Sequence, residues 1–581
     1  MPVEVNIQDG PTTVSYTIKA DGTALSPGQH VVSVVVYHGV DRLSFARIIM
    51  LDGEAASRNF PLSDQANFLP GKAIEVSAGY GQDEAPIFKG IVVKHSLQLK
   101  ANNTSLLVVD ARHEAVKMTK VRKSRILRDK TDSELFETLV EPYGLTPEAD
   151  STSPTHEGMV QHQCTDWDMV IARAQANALL VLCEPGKLLM KKPDLTGNAL
   201  VELAYGMNLY EMDLQMDARS QLENISIRGW DPADQQMLET DGNAPAGWQE
   251  PGNFSQADLA AASGESKWEW PKGTSLNEAE MRVLASGRLM QHQLSKIRGH
   301  ARCKGHAMLK PGVMVALTGA GERFNGKHFV SAVRHEISQG SWYTNVELGL
   351  LQEPFIEKFD VNEKPASAVL PAVNGLQVGI VTQLASDPQD EDRVLVKLPA
   401  IDGAAEGVWA RQALLDAGKE RGSFFRPEVG DEVVVGFLND DPRHPVILGM
   451  FNSSAKPAIL KADDDNHQKG FVTREKLKLW FDDEKKIIEV STPGGRKVVL
   501  DDDKGEINME DADGNQCKMD ADGITLNSAK DIILKATGNI KMEGVEVKAE
   551  GSGSATIKGG SSAEFSSGGT TNLKGSLVNI N

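Results

Sequence analysis

Over the last hundred residues the apolar positions fall in alternating pairs. Ile524/Leu526, Ile532/Leu534 and Ile540/Met542 are each displaced by eight residues, and after a shift the series resumes at Val545/Val547, Ala555/Ile557, Ala563/Phe565 and Thr571/Leu573, with Val578/Ile580 last. Alternation within a pair marks a short strand with one buried face, and the Gly, Ser, Asp and Asn between pairs supply corners. A unit with so few apolar side chains cannot bury them alone, so the units must stack. A single-chain β-helix needs roughly 18 to 25 residues per coil. A step of eight instead suits a coil completed by several chains, each giving one face of a prism. Residues from about 471 onward therefore read as an intertwined, trimeric β-helix or β-prism, a needle. Its axis would carry Ile524, Leu526, Ile532, Leu534, Ile540, Met542, Val545, Val547, Ile557, Phe565, Leu573, Val578 and Ile580. The Gly/Ser content of 551–569 also fits a disordered tail, but disorder does not require apolar pairs in register.

Upstream, β-branched runs at Ser33–Tyr37, Ser44–Leu51, Ala73–Ala78 and Phe88–His95, separated by Gly, Pro and Asp, predict a barrel or sandwich. Thr131 or Asp132 can cap a short helix ending at Gly144, with Leu135, Leu139 and Val140 on one side. Thr165 precedes a second helix, Asp166–Asn177, whose Trp167, Val170, Ile171 and Ala174 form its apolar stripe, and Leu179–Met190 reads as a hairpin. Asp231–Ser275, rich in Gly, Pro, Asp and Ala, reads as a loop or insertion. A long helix over Leu276–Lys296 follows, then strands to about Glu353 and a linker at Val361–Pro371. Gly321 to Lys327 has the glycine and lysine spacing of a phosphate loop. His328, however, stands where that loop needs Ser or Thr, and the segment joins two strands, so a hairpin turn is expected.

Strands at Gln377–Leu384, Arg393–Leu398, Gly407–Ala413, Asp431–Leu438 and Pro445–Met450 predict a five-stranded closed barrel of the oligonucleotide/oligosaccharide-binding (OB) type. The aromatic platform and basic groove that a nucleic-acid ligand requires are missing. The mainly β chain thus divides into a β-rich region with short helices at 1–365, an OB-fold barrel at 372–452, a linker at 453–470 and the needle at 471–581.

Charge sharpens this picture. The formal net charge of −20 over 581 residues argues against nucleic acid as a partner. Lys117–Lys130 is the one strongly basic segment, either a solvated loop or a face for an acidic neighbour. Cys164, Cys183, Cys303 and Cys517 form no CxxC pair and suggest neither disulfides nor zinc. Met1–Gly10 lacks the features of a secretory signal, and no apolar run reaches the ~20 residues of a membrane span. No catalytic residue, cofactor or metal ligand set is expected.

The runs Arg393 to Pro399, Val408-Trp409-Ala410-Arg411, Phe425 to Phe437 with Pro427, Glu428, Gly430, Asp431 and Gly436, and Asp440 to Gly449 with Pro442 and Pro445 resemble the barrel of VgrG proteins. These are the trimeric spikes of type VI secretion and related contractile injection particles. Thr570–Asn581 resembles their needle tip. Cys164 to Asp168 with Arg173, and Phe324 to Lys327 with His335 and Trp342, resemble their phage-tail hub half. Phe88 to His95 leans toward spikes of the extracellular, antifeeding-prophage type. The resemblance implies that residues 1–365 are a phage-tail hub-like region of two barrel subdomains with helical insertions, in a homotrimer whose six hub barrels match a hexameric tube and baseplate. It also implies a PAAR-repeat protein on the tip, effector cargo, and assembly in the bacterial cytoplasm before firing. Asn452–Phe471 leaves no room for an inserted cell-wall hydrolase, and no histidine follows His467 to build an iron cage at the tip. A wall hydrolase, or a calcium-dependent adhesin stalk using Asp511-Ala-Asp-Gly and Asp520-Ala-Asp-Gly, are the competing readings; Asp-Gly turns are preferred there.

Overall fold

A computed structural model describes residues 13–26, 30–102, 104–274 and 276–580; Met1–Gly10, read above for a signal, lies outside them. The chain forms two compact units, residues 1–426 with 434–448, and residues 427–433 with 449–581.

In the first unit the four expected β-branched runs fall within strands Val31–Gly39, Arg42–Leu51, Ala73–Tyr80 and Asp83–Leu99, which Val14–Ala20 and Ser105–Arg112 join. Their inward positions, among them Val34, Ile48, Met50, Val76, Phe88 and Val109, bury one core. A second core forms under Leu209–Met216, Ile297–Lys304, Gly326–Ser338 and Ser341–Leu348 and holds Cys303, Val315, Leu317, Val333 and Val346. The two halves share one 13-stranded sheet, meeting through antiparallel pairing of Ala332–Ser338 with Gly39–Ser33.

Helices α1 (Asp132–Val140) and α2 (Asp166–Ala176) start where their caps predicted, with Thr131 and Glu134 forming a reciprocal capping box and the Thr165 hydroxyl accepting from the Asp168 amide. Trp167 is buried between them. Segment 231–275 corrects the sequence reading. It holds strands Gln236–Asp241 and Lys267–Pro271 and helix α3 (Gln256–Ser263), and both strands pair with Asn224–Asp231 against helix α4 (Glu278–Leu294). Gln256–Ser263 is short and almost symmetric in apolarity, and one of the pairings is parallel and distant, so no local pattern announced them.

Gly321 to Lys327 is the expected hairpin connection: Met314–Thr318 and Gly326–Ser338 run antiparallel through it, and Gly321 and Gly326 take φ of +77° and +129°. Strands Gln377–Gln383, Val394–Lys397, Val408–Gln412, Pro445–Met450 and Glu432–Phe437 close into a five-stranded barrel in that order, within a residue or two of the expected boundaries.

The second unit has two parts. Gln468–Val472, Lys478–Asp482, Ile487–Ser491, Lys497–Asp501, Glu506–Glu510, Gln516–Asp520 and Gly523–Asn527 form a seven-stranded antiparallel meander within one chain. Only beyond it does the eight-residue step take over.

Candidate assembly surface

The meander has one polar and one apolar face. The apolar face carries two rows that follow the ladder from strand to strand: Leu479, Val490, Val498, Met509, Cys517 and Leu526, and beside it Phe481, Ile488, Leu500, Ile507, Met519 and Ile524. The opposite face holds a polar network in which Gln516 donates to Asn508, Asn508 to Glu510, and Lys518 pairs with Glu506. Each strand thus alternates as a half-buried strand should. No other part of the described chain covers the apolar rows: Val490, Met509 and Leu526 remain about half exposed.

Those rows run on into the eight-residue series, because Ile524 and Leu526 are both the last rung of the sheet and the first pair of the series. From 528 onward the chain bends at 529–530, 537–538, 544–545, 552–553, 560–561 and 568–569, steps of eight with a single seven. Between bends stand Ile532/Leu534, Ile540/Met542, Val547/Ala549, Ala555/Ile557, Ala563/Phe565 and Thr571/Leu573. The bends therefore correct the register at one point: Val545 falls on a corner and is fully exposed, and Val547 pairs with Ala549. Gly551 and Gly559, eight apart, mark equivalent corners; a Cβ there would stand 2.6 and 1.8 Å from the carbonyl oxygens of Ser554 and Ser562. Residues 528–580 form no strand within their own chain. Ile532, Leu534, Ile540, Met542, Val547, Ile557, Phe565, Leu573 and Ile580 are each more than half exposed, and Val578 about half.

The barrel residues singled out in the sequence serve its architecture. Ala410, between Trp409 and Arg411, points into the core, which leaves Trp409 half-buried and Arg411 exposed. Pro427 is buried and opens a tight turn in which the Glu428 amide donates to the Asp431 carboxylate, the Asp431 amide donates to the Glu428 carbonyl, and Gly430 takes φ +89°. A Cβ on Gly436 would press on Leu376 and Leu448 at 3.3 Å. Pro442 sits in a turn anchored by buried Asp441, which accepts from the Arg443 amide and guanidinium at 2.9 and 2.6 Å; those bonds hold its carboxyl at about 2. Pro445 is buried at the first position of the closing strand, where its missing N–H costs least, and Gly449 is half-buried near that strand's end.

Among the described residues no three His, Cys, Asp or Glu side chains are grouped to hold a metal. At the two Asp-Ala-Asp-Gly turns the leading carboxylates are already engaged: Asp511 accepts from the Asp513 and Asn515 amides and Asp520 from the Asp522 amide. These are Asx turns.

Sequence reading missed two ionic knots in the helical layer. Buried Asp166 accepts from Lys123 (2.7 Å), Arg125 (2.6 Å), Gln161 (2.9 Å) and Tyr143 (2.7 Å). Burial alone would raise its carboxyl, but these donors hold it below the usual range. Asp132 accepts a bidentate pair from Arg173 at 2.6 and 2.8 Å, with Asn177 and His156 beside it. The available signal was the placement of Asp132 and Asp166 just after Thr caps, but the cations that pair with them stand some forty residues away, Lys123 and Arg125 on a strand and Arg173 on helix α2.

Residues 10–339 match the family described as the Alg8 N-terminal domain. Residues 377–451 match the family described as the type VI secretion system/phage-baseplate injector OB domain, over the closed barrel. No curated protein matches the sequence. Similar solved structures include the 43 kDa tail protein of prophage MuSo2 from Shewanella oneidensis (11% identity, TM-score 0.45, 58% of this chain and 99% of that one). An E. coli type VI secretion component (12%, 0.37, 75% and 100%) and the lidded Francisella PdpA-VgrG complex (10%, 0.38, 88% and 80%) are also similar.

Proposed function

The chain belongs to the Alg8 N-terminal domain family, and we propose that it is the trimeric central spike of a contractile injection machine. The observation that carries this reading is the apolar face of the second unit, continuous from Leu479 to Ile580 and uncovered in a single chain. Leaving so many Ile, Leu, Val and Met side chains in water forfeits about 25 cal/mol for each Å² that a partner would bury. Three copies wound about a common axis would dry those rows and pair the strands that residues 528–580 cannot pair alone. The match of residues 377–451 to an injector OB domain supports placing this needle under a baseplate hub.

In this reading residues 1–365 form the hub, which meets a hexameric tube, and residues 372–452 form the barrel. The linker 453–470 joins it to a needle from 471 onward. The role is mechanical rather than catalytic: an external sheath supplies the work, and the needle supplies stiffness through paired strands and a dry aliphatic axis. A PAAR-repeat protein capping the tip and effector cargo complete the assembly, which forms in the bacterial cytoplasm and is fired outside the cell. Among the described residues no helix is long and apolar enough to cross a membrane, and the target membrane is met by puncture.

Light scattering of the full chain tests the proposal. The expected mass is three times the 62.9 kDa of one chain, falling toward one when the chain ends at Ser454. A full-length monomer would overturn the proposal.

A further inference from the structure

The basic segment singled out in the sequence is absorbed by none of this. It forms strand Arg122–Lys130, paired antiparallel with His156–Thr165 in a ribbon of only two strands. Alternation splits its charges. Lys123 and Arg125 point inward to the Asp166 carboxylate at 2.7 and 2.6 Å, and Leu127 joins the helical core. Arg122, Ser124, Ile126 and Arg128 are exposed on the other face, with Val160 standing opposite Ile126. Val121, Ile126 and Val160 are 56%, 61% and 62% exposed. Lys120 and Arg128 make no ion pair among the described residues. Arg122 donates only to the Gln163 and Asp360 carbonyls.

A chain of net charge −20 therefore keeps two cations, Arg122 and Arg128, on one face of a ribbon that pairs with no third strand, interleaved with apolar side chains, and a third, exposed Lys120, on the turn just before it; among the described residues no carboxylate of the chain pairs with any of them. Unpaired ladder groups beside such a face are a template for another strand. We infer that this ribbon docks an acidic protein partner, which adds an extended segment to the open edge and sets its carboxylates against Lys120, Arg122 and Arg128. Main-chain bonds would supply affinity and the cations specificity and rate, as in other strand-addition sites. A nucleic acid fits less well, because the exposed face offers no aromatic platform for bases. This inference stands apart from the trimer: the ribbon lies in the first unit and the apolar rows in the second.

The test uses the full chain and a labelled nine-residue peptide of alternating Glu and Thr, followed by fluorescence anisotropy at low salt. Controls are the Lys/Thr peptide, a Glu/Thr peptide N-methylated at alternate residues, oligothymidine and phosphatidylserine vesicles. The Glu/Thr peptide is expected to bind, to weaken roughly tenfold or more in K120E/R122E/R128E, and to slow amide hydrogen exchange within 121–130 or 156–162. The Lys/Thr and N-methylated peptides are expected to bind far less. R128E alone, with its melting temperature checked, separates lost binding from lost folding. Equal binding to the triple variant, protection elsewhere in the chain, or preferred binding of oligothymidine or vesicles would each overturn the assignment.

Discussion

The first unit, the proposed hub, and the C-terminal unit use the same aliphatic residues to opposite ends. In the hub Ile48, Met50, Ile74, Phe68 and Phe88 are at most 1% exposed, whereas Ile524, Ile540, Met542 and Phe565 are between 55% and 75% exposed. The hub closes its cores with long-range pairing inside one chain. The C-terminal unit has a step too short to enclose anything and shows its apolar rows outward. In the proposed trimer, burial in the second unit is a property of the assembly: hub substitutions should act on the stability of one chain, and stripe substitutions on the association of several.

The largest break in that contrast is Ile532→Asp. In the proposed trimer it sets one carboxylate per copy on a dry axis, at several kcal/mol each, so the expected result is loss of the trimer by light scattering with the hub's thermal transition retained. A trimer of wild-type mass and heat resistance would remove Ile532 from the axis. The hub counterpart is Asp166→Ala, which strands Lys123 and Arg125 beside buried Gln161. Lys123 and Arg125 are about a third exposed and can turn to water, so the cost falls below the about 3–5 kcal/mol of breaking a fully buried pair; the hub should still melt earlier while the solution mass stays that of the wild type.

A smaller effect separates the units by pH. His38, His113 and His335 line one hub cavity of about 450 Å³ with Lys89, Lys310 and Glu184. Burial lowers all three from the ordinary 6.5, His335 to about 3, where the neighbouring His38 and His306 add to the effect. Their folded-state values lie below the unfolded one, so the unfolded chain binds protons first as pH falls. Stability from these groups is complete above pH 6.5 and declines below it, toward pH 3 for His335. In the second unit Asp501, Asp511 and Asp520 are lowered from 3.8 by backbone and side-chain donors, so their contribution persists until pH falls below that value. Melting followed between pH 7 and 4 should weaken the hub first; parallel loss in both units would contradict the assignment.

How much of this was legible depended on how local each signal was. Helix caps at Thr131 and Thr165, the barrel strands, the hairpin at Gly321 and the eight-residue step are written in neighbouring residues, and the structure repeats them. The small sheet over α4 was not legible, because Lys267–Pro271 pairs in parallel with a strand some forty residues back. The meander is masked for the opposite reason. Its own period is nineteen, seen in strands beginning at 478, 497 and 516 and ending on Asp482, Asp501 and Asp520, and the louder eight-residue series beyond it hides that period. Val545 stands at a bend, and a valine at a corner reads like a valine on a strand until the bend is located.

The smallest effect is expected from calcium. Asp482, Asp501, Asp511 and Asp520 look like the acidic beginnings of cation loops, yet each spends an oxygen on backbone amides two to four residues ahead: Lys485, Lys504, Asp513 with Asn515, and Asp522. Asp501 and Asp520 also face Lys504 and Lys518 at 3.0 and 2.9 Å, a cation already in the place where a metal would stand. A chelator should therefore leave the melting of the second unit unchanged, and added calcium should not raise it, because a ligand stabilises only in proportion to its binding to the folded state. A rise in melting temperature that saturates with calcium and disappears in Asp511→Asn would mean that these turns open to take the ion. The second unit would then owe part of its order to a metal as well as to its copies.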